Sequence, residues 1–96
     1  MTVLKAGVLA YIDTFQGLVP CRVLRVYIDA YYGATMTEVK VTGNRPGYAK
    51  GEVTTEFAIA LVRRDGVRRR GRKQYARDFD GFEITTTKEN IHAGAV

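Results

Sequence analysis

The residues of this chain with the clearest chemistry are the cations of one short segment, RRDGVRRRGRKQYAR, at positions 63–77. This segment holds eight Arg and Lys and one Asp, a net charge of +7, whereas the whole chain carries +5, so the remainder carries −2. A planar Arg guanidinium binds phosphate through two parallel hydrogen bonds and also stacks on bases. Charge concentrated in this way is typical of a protein that binds a polyanion.

Tyrosines in predicted loops add a second kind of contact, because bases of a single strand stack on aromatic rings. Tyr31 and Tyr32 precede a glycine, and Tyr48 lies in another loop between two cations. The alternative for each tyrosine is a buried ring with a solvated hydroxyl. The predicted nucleic-acid-binding residues are Arg63, Arg64, Arg68, Arg69, Arg70, Arg72, Lys73, Tyr75, Arg77, Tyr31, Tyr32, Arg45, Tyr48 and Lys50.

Residues suited to catalysis or metal binding are few. The one histidine, His92, lies in the C-terminal tail, and the one cysteine, Cys21, is predicted to be a small buried hydrophobe. One Cys and one His cannot fill a zinc site, and no glycine-rich phosphate loop precedes a helical pattern. We therefore expect no enzyme, no metal and no cofactor.

The elements that must position the cations have the periodicity of strands. In GEVTTEFAIALVRR, alternate residues form one apolar row, which predicts a half-buried strand with that row inside. In LVPCRVLRVYID the alternation changes face, which predicts a β-bulge near residues 22–24. Three phenylalanines are expected to lie in the core. Phe15 is expected either to lie in the core or to anchor a loop. The apolar row is Val53, Thr55, Phe57, Ile59 and Leu61, and the three core phenylalanines are Phe57, Phe79 and Phe82.

Turn signals separate these segments. Pro46-Gly47 suits the centre of a type II turn, and Asp65-Gly66 suits a tight hairpin, beyond which the basic segment would project as an arm. Five or six short strands with little or no helix predict an all-β fold, a small antiparallel barrel. Residues 1–96 would form one domain, with the basic arm at 63–77 and a loose tail at 88–96. No apolar run approaches a membrane span, and the unpaired cysteine suits the cytoplasm.

The order of these elements resembles that of Src-homology-3-type (SH3-like) and Tudor-type small barrels, over roughly residues 3 to 87. The run VTGNRPGYAKGE is similar to small proteins encoded by bacteriophages and prophages. The resemblance to phage proteins implies that this protein is located in the cytoplasm of a bacterial host. Small barrels carry many unrelated activities, so neither resemblance implies a function.

Two functions are compatible with the sequence. The first is a non-enzymatic nucleic-acid-binding module that contacts phosphates through its Arg-rich arm; DNA and RNA, single and double strands all stay open. The second is a structural or adaptor protein, phage-encoded on this resemblance, that acts through protein contacts and self-assembly. In that case Leu18, Leu24, Val26 and Ile28 would be partly covered by another chain.

Overall fold

The computed structural model describes residues 2–70 and 73–85, with backbone alone for residues 65–70 and 73–77. In this part of the chain the structure is mostly strand, and no helix is long and apolar enough to cross a membrane. A single 3₁₀ turn spans Ala58–Ala60. The strands are β1 Val3–Leu4, β2 Leu9–Thr14, β3 Gly17–Asp29, β4 Ala34–Val41, β5 Val53–Phe57, β6 Leu61–Arg70, β7 Lys73–Asp78 and β8 Gly81–Phe82.

Six of these strands form one antiparallel sheet in the order β5-β4-β3-β2-β6-β7, while β1 and β8 pair in parallel beside it. Strands β2 to β5 are a meander, and β6 then returns to pair with β2. The small all-β fold is therefore confirmed. The barrel was predicted to close, but within the described ranges the edge strands β5 and β7 do not pair, so the sheet is open.

The predicted bulge in β3 is confirmed, since the register with β4 shifts between Val23 and Arg25. An extra residue reverses the alternation, so Val23 and Val26 both reach the same core although they are three positions apart. The segment after β8 covers the bend: the Val26 N–H donates to the Thr85 hydroxyl at 2.9 Å, and the Thr85 N–H donates to the Val26 carbonyl at 2.8 Å.

The core lies against one face of the sheet, the core face. Tyr48 and Phe79 are partly buried and pack against this core, which confirms the predicted core position of Phe79. The buried Thr37 hydroxyl donates to the Glu56 carbonyl at 2.9 Å, which satisfies it inside an apolar environment. The core cluster is Leu4, Ala10, Ile12, Val19, Cys21, Val23, Val26, Val39, Val41, Ala58 and Leu61.

The apolar row predicted to face inward over residues 53–61 is wrong except at Leu61, which lies in the core. β5 ends at Phe57, and the 3₁₀ turn that follows changes the phase, so Ala58 and Leu61 enter the core while Ile59 is 82% exposed. Phe57 lies on the opposite side of the sheet and is 44% exposed. Phe82, also expected inside, is exposed, and Phe15, expected in the core or as a loop anchor, is exposed in the turn between β2 and β3.

The predicted hairpin turn at Asp65-Gly66 is also wrong. Both residues lie within β6, where the register with β7 shifts between Arg63 and Arg68. Residues 64–67 lie opposite the single residue Ala76, so the glycine lies in an enlarged bulge, and β6 stays paired with β7 as far as Arg70 and Lys73.

Candidate nucleic-acid interface

The basic segment forms a two-stranded ribbon, defined here as residues 64–70 of β6 with 73–77 of β7. β2 pairs with β6 only over Leu61–Arg63, and beyond that point the described backbone of β6 pairs with β7 alone. Register pairs along the ribbon join Arg68 to Tyr75, Arg69 to Gln74 and Arg70 to Lys73. Arg72 and the side chains of Arg68, Arg69, Arg70, Lys73, Tyr75 and Arg77 lie outside the described part of the chain.

The first two cations of the segment, Arg63 and Arg64, form hydrogen bonds and an ion pair within the protein. The Arg64 guanidinium donates to the carbonyls of Ala10 at 3.2 Å and Cys21 at 3.4 Å and to the Thr42 hydroxyl at 3.2 Å. Arg63 forms an ion pair with Asp80 at 3.5 Å. The structure thus divides the predicted site: these two residues fix the base of the ribbon to neighbouring strands.

The loop between β4 and β5 holds three predicted site residues. Pro46-Gly47 forms the predicted turn, with Gly47 at φ +81° and the backbones of Arg45 and Tyr48 exchanging hydrogen bonds of 3.0 and 2.9 Å. Arg45 and Lys50 are exposed.

Tyr48 has mainly a structural role. Its ring packs against the core and its hydroxyl hydrogen-bonds the Glu56 carboxylate. Burial, followed by the nearby charges of Glu56 and Glu52, raises the pKa of this phenol above its usual value. Of the loop residues predicted to bind nucleic acid, the two cations therefore stay available on the surface and the tyrosine serves the fold.

Tyr31 and Tyr32 form an exposed aromatic cluster with Phe57. The ring centroids of Tyr31 and Tyr32 are 5.0 Å apart, and those of Tyr32 and Phe57 are 5.7 Å apart, both edge to face. The Asp29 carboxylate fixes this turn by accepting the N–H groups of Tyr31 at 2.8 Å and Tyr32 at 3.1 Å. Tyr31 is nevertheless 89% exposed. The structure thus joins two predicted residues to one that was expected in the core.

The side of the sheet opposite the core, the outer face, carries cations that the sequence analysis missed. Arg22 lies opposite Lys40 and Arg25 lies opposite Glu38 in the β3–β4 register. The bulge between these pairs brings Arg22 and Arg25 to the same face despite their odd spacing. The signal was present in the sequence, because the predicted bulge implies this placement.

Two of the arginines lie over tyrosine rings. The Arg25 guanidinium carbon is 4.2 Å from the Tyr27 ring centroid, and that of Arg64 is 5.0 Å from the Tyr11 ring centroid. Both distances lie within the range of cation–π attraction. Within the described residues no ion pair joins Arg22, Arg25 or Lys40 to a carboxylate. The outer face therefore combines oriented guanidinium groups with aromatic rings.

Groups suited to catalysis are not brought together in the described chain. Burial raises the pKa of the Cys21 thiol to about 12, with Arg64 opposing and Glu56 adding to the shift, so the thiol is protonated at neutral pH. The described residues contain no group of carboxylate, His and Cys side chains that could hold a metal ion. An apolar cleft of about 200 Å³ contains one carboxylate; it is lined by Ala58, Ile59, Leu61, Asp78, Phe79 and Phe82. His92 lies outside the described residues.

No protein-family model, curated protein or solved structure matches this chain. The resemblances to SH3-like barrels and to bacteriophage proteins therefore stay predictions. The function proposed below rests on the chemistry of the chain itself.

Proposed function

We propose that this protein is a non-enzymatic nucleic-acid-binding module and that its ribbon contacts phosphates. The observation that carries the proposal is the register of the ribbon, in which Arg70 lies opposite Lys73. Like charges directly opposite each other destabilise an antiparallel pair. A bound polyanion would offset that repulsion, and counterions released from the nucleic acid would favour binding.

The shape of the ribbon also supports the proposal. A two-stranded β-ribbon fits the major groove of duplex DNA, and a flexible single strand can follow the same cations along its phosphates. Beyond Arg63 the ribbon pairs with no other described strand. The strand order, with a 3₁₀ turn before the strand that returns to β2, favours an SH3-like arrangement as the scaffold of this ribbon.

Salt-dependent binding tests the proposal. We expect labelled single-stranded and duplex oligonucleotides to bind with a log Kd that varies with log salt by a slope of about 3 to 5, the value for four to six phosphate contacts. Replacing Arg68, Arg69 and Arg70 together by Ala should reduce that slope by about 2 to 3. Fluorescence anisotropy at several salt concentrations measures both values.

Two matched variants control this experiment. The triple Arg→Lys variant at the same positions keeps the charge and should keep most of the slope, whereas Lys5→Ala removes an exposed cation outside the ribbon and should change little. The proposal is wrong if the wild-type protein binds no oligonucleotide at low salt, or if the triple Ala variant folds and binds with an unchanged slope.

A second candidate function is an adaptor that self-assembles through its sheet edges. The observation that favours it is the edge strand β5, which pairs only with β4 among the described strands, together with the exposed Ile28 and Ile59. Light scattering distinguishes the two functions: a stable oligomer that ignores oligonucleotides supports the adaptor.

A further inference from the structure

We infer that the outer face of the sheet binds single-stranded nucleic acid by stacking unpaired bases on its exposed aromatic residues; this inference rests on the proposed function and names its substrate. The stacking surface consists of Tyr31, Tyr32 and Phe57, with the Arg25–Tyr27 pair beside them. Arg22 and Lys40 would hold the phosphates.

The aromatic residues of this surface occupy neighbouring positions on adjacent strands. In the registers of β3, β4 and β5, Tyr27 lies opposite Met36, which in turn lies opposite Phe57. Opposed side chains on one face of a sheet have Cβ atoms about 5 Å apart, so these three residues form a row that Tyr32 extends through its contact with Phe57. Met36 is only 6% exposed, so the accessible part of this row is formed by the aromatic rings, and exposed apolar patches often mark binding surfaces.

Contacts within the protein already hold these aromatic rings in place. Asp29 fixes the backbone of Tyr31 and Tyr32, and the edge-to-face contacts fix their rings relative to Phe57. The Arg25 guanidinium lies over the Tyr27 ring, and guanidinium planes accept stacked bases as aromatic rings do. Little conformational entropy is therefore lost when a base binds there.

The charged side chains of the outer face also favour this ligand. Arg22, Arg25 and Lys40 lie on this face without an ion pair in the described part of the chain, beside the carboxylates of Glu38 and of Asp29, which holds the Tyr31–Tyr32 turn. These five residues carry one more positive than negative charge, and the cations can contact phosphates. Bases that are paired inside a duplex are not available to stack on the aromatic rings of this face. Aromatic residues beside unpaired cations together select an unpaired strand.

The test compares the bases of the ligand with the aromatic residues of the protein. Its probes are a labelled oligothymidylate, an oligoribouridylate, an abasic oligomer of the same length and a duplex, each titrated by anisotropy. Removing both rings in the double variant Tyr31→Ala/Tyr32→Ala should weaken oligothymidylate binding about tenfold or more, since alanine substitution costs about 5- to 150-fold per stacked base. Binding to the abasic oligomer and to the duplex should change less than about twofold.

Three further variants make the result specific. Tyr31→Phe/Tyr32→Phe keeps both rings and should bind as the wild type does. Phe15→Ala removes a 99% exposed ring from the turn at the other end of β3 and should also have no effect. Tyr31→Ala alone preserves the test if the double variant does not fold. Tyrosine fluorescence, quenched by oligothymidylate in the wild type, should be quenched less in the double Ala variant.

The outcomes separate this inference from the proposed function. If the double Ala variant folds and binds oligothymidylate as the wild type does, while the ribbon triple variant loses binding, the inference is overturned and the proposed function survives. If the ribbon triple variant binds normally and the double Ala variant does not, the ribbon proposal fails and the outer face carries the binding. If the wild type binds none of the probes at low salt, both are overturned. Comparing oligothymidylate with oligoribouridylate then shows whether DNA or RNA is preferred.

Discussion

The two faces of the same sheet differ in chemistry although they are formed by alternate residues of the same strands. The core face of β3 and β4 presents Val23, Val26, Val39 and Val41, all nearly inaccessible to solvent. The outer face of the same strands presents arginines, a lysine and aromatic rings. One side of this sheet therefore stabilises the fold, while the other side carries cations and aromatic rings, several of them exposed to solvent.

Leu61 and Ile59 belong to one row by sequence alternation, but the structure places them in different environments. Leu61→Ala should lower the free energy of unfolding by about 2 to 5 kcal/mol, because Leu61 is in the core and its removal leaves a cavity. Ile59→Ala should cost less than about 0.5 kcal/mol, because Ile59 is largely exposed. Urea unfolding of both variants measures the difference, and equal losses would contradict the position of the 3₁₀ turn.

This pair of residues also shows where sequence reasoning succeeded and where it failed. Alternation correctly predicted strands and the bulge in β3. In β5 it predicted the right alternation and the wrong inner row, because a 3₁₀ turn of three residues changes the phase without a strong signal of its own. The row that appeared suited to a core contains Phe57, which the structure places in the exposed aromatic cluster.

The candidate site was predictable in composition but not in arrangement. Charge density indicated the ribbon, and loop position indicated Tyr31 and Tyr32. The separation of Arg63 and Arg64 from the other cations depends on contacts between strands distant in sequence, such as Arg64 with Cys21. Local sequence carries no direct information about such contacts.

The second prediction concerns two arginines with different surroundings. Arg64→Met should lower the free energy of unfolding by about 1 to 3 kcal/mol, because the guanidinium donates to two backbone carbonyls and one hydroxyl across the sheet. Arg22→Met should cost less than about 0.5 kcal/mol, because Arg22 is exposed and makes one long contact, 3.5 Å, to the Gly7 carbonyl. Urea unfolding measures both, and a larger loss for Arg22 would show that the outer face also stabilises the fold.

The third and smallest effect is a pH dependence that belongs to the core face. Burial holds the pKa of Cys21 at about 12 in the folded protein, whereas an unfolded thiol titrates near about 8.5. The folded state therefore binds this proton more tightly, and its contribution to stability is complete below pH 8.5 and is lost as the pH rises toward 12. Relative to Cys21→Ala, the wild type should lose about 0.7 kcal/mol of unfolding free energy between pH 8 and 9.

Urea unfolding of the wild type and of Cys21→Ala at both pH values measures this difference, and the other titrating groups cancel because the two proteins share them. Cavity formation in the variant lowers its stability equally at both pH values, so only the pH-dependent part reports the thiol. Parallel pH dependences in the two proteins would mean that the thiol reaches water in the folded state. The core face would then be less well closed at the β2–β3 strand pair than its burial indicates, and the contrast between the two faces would weaken where Arg64 contacts the Cys21 carbonyl.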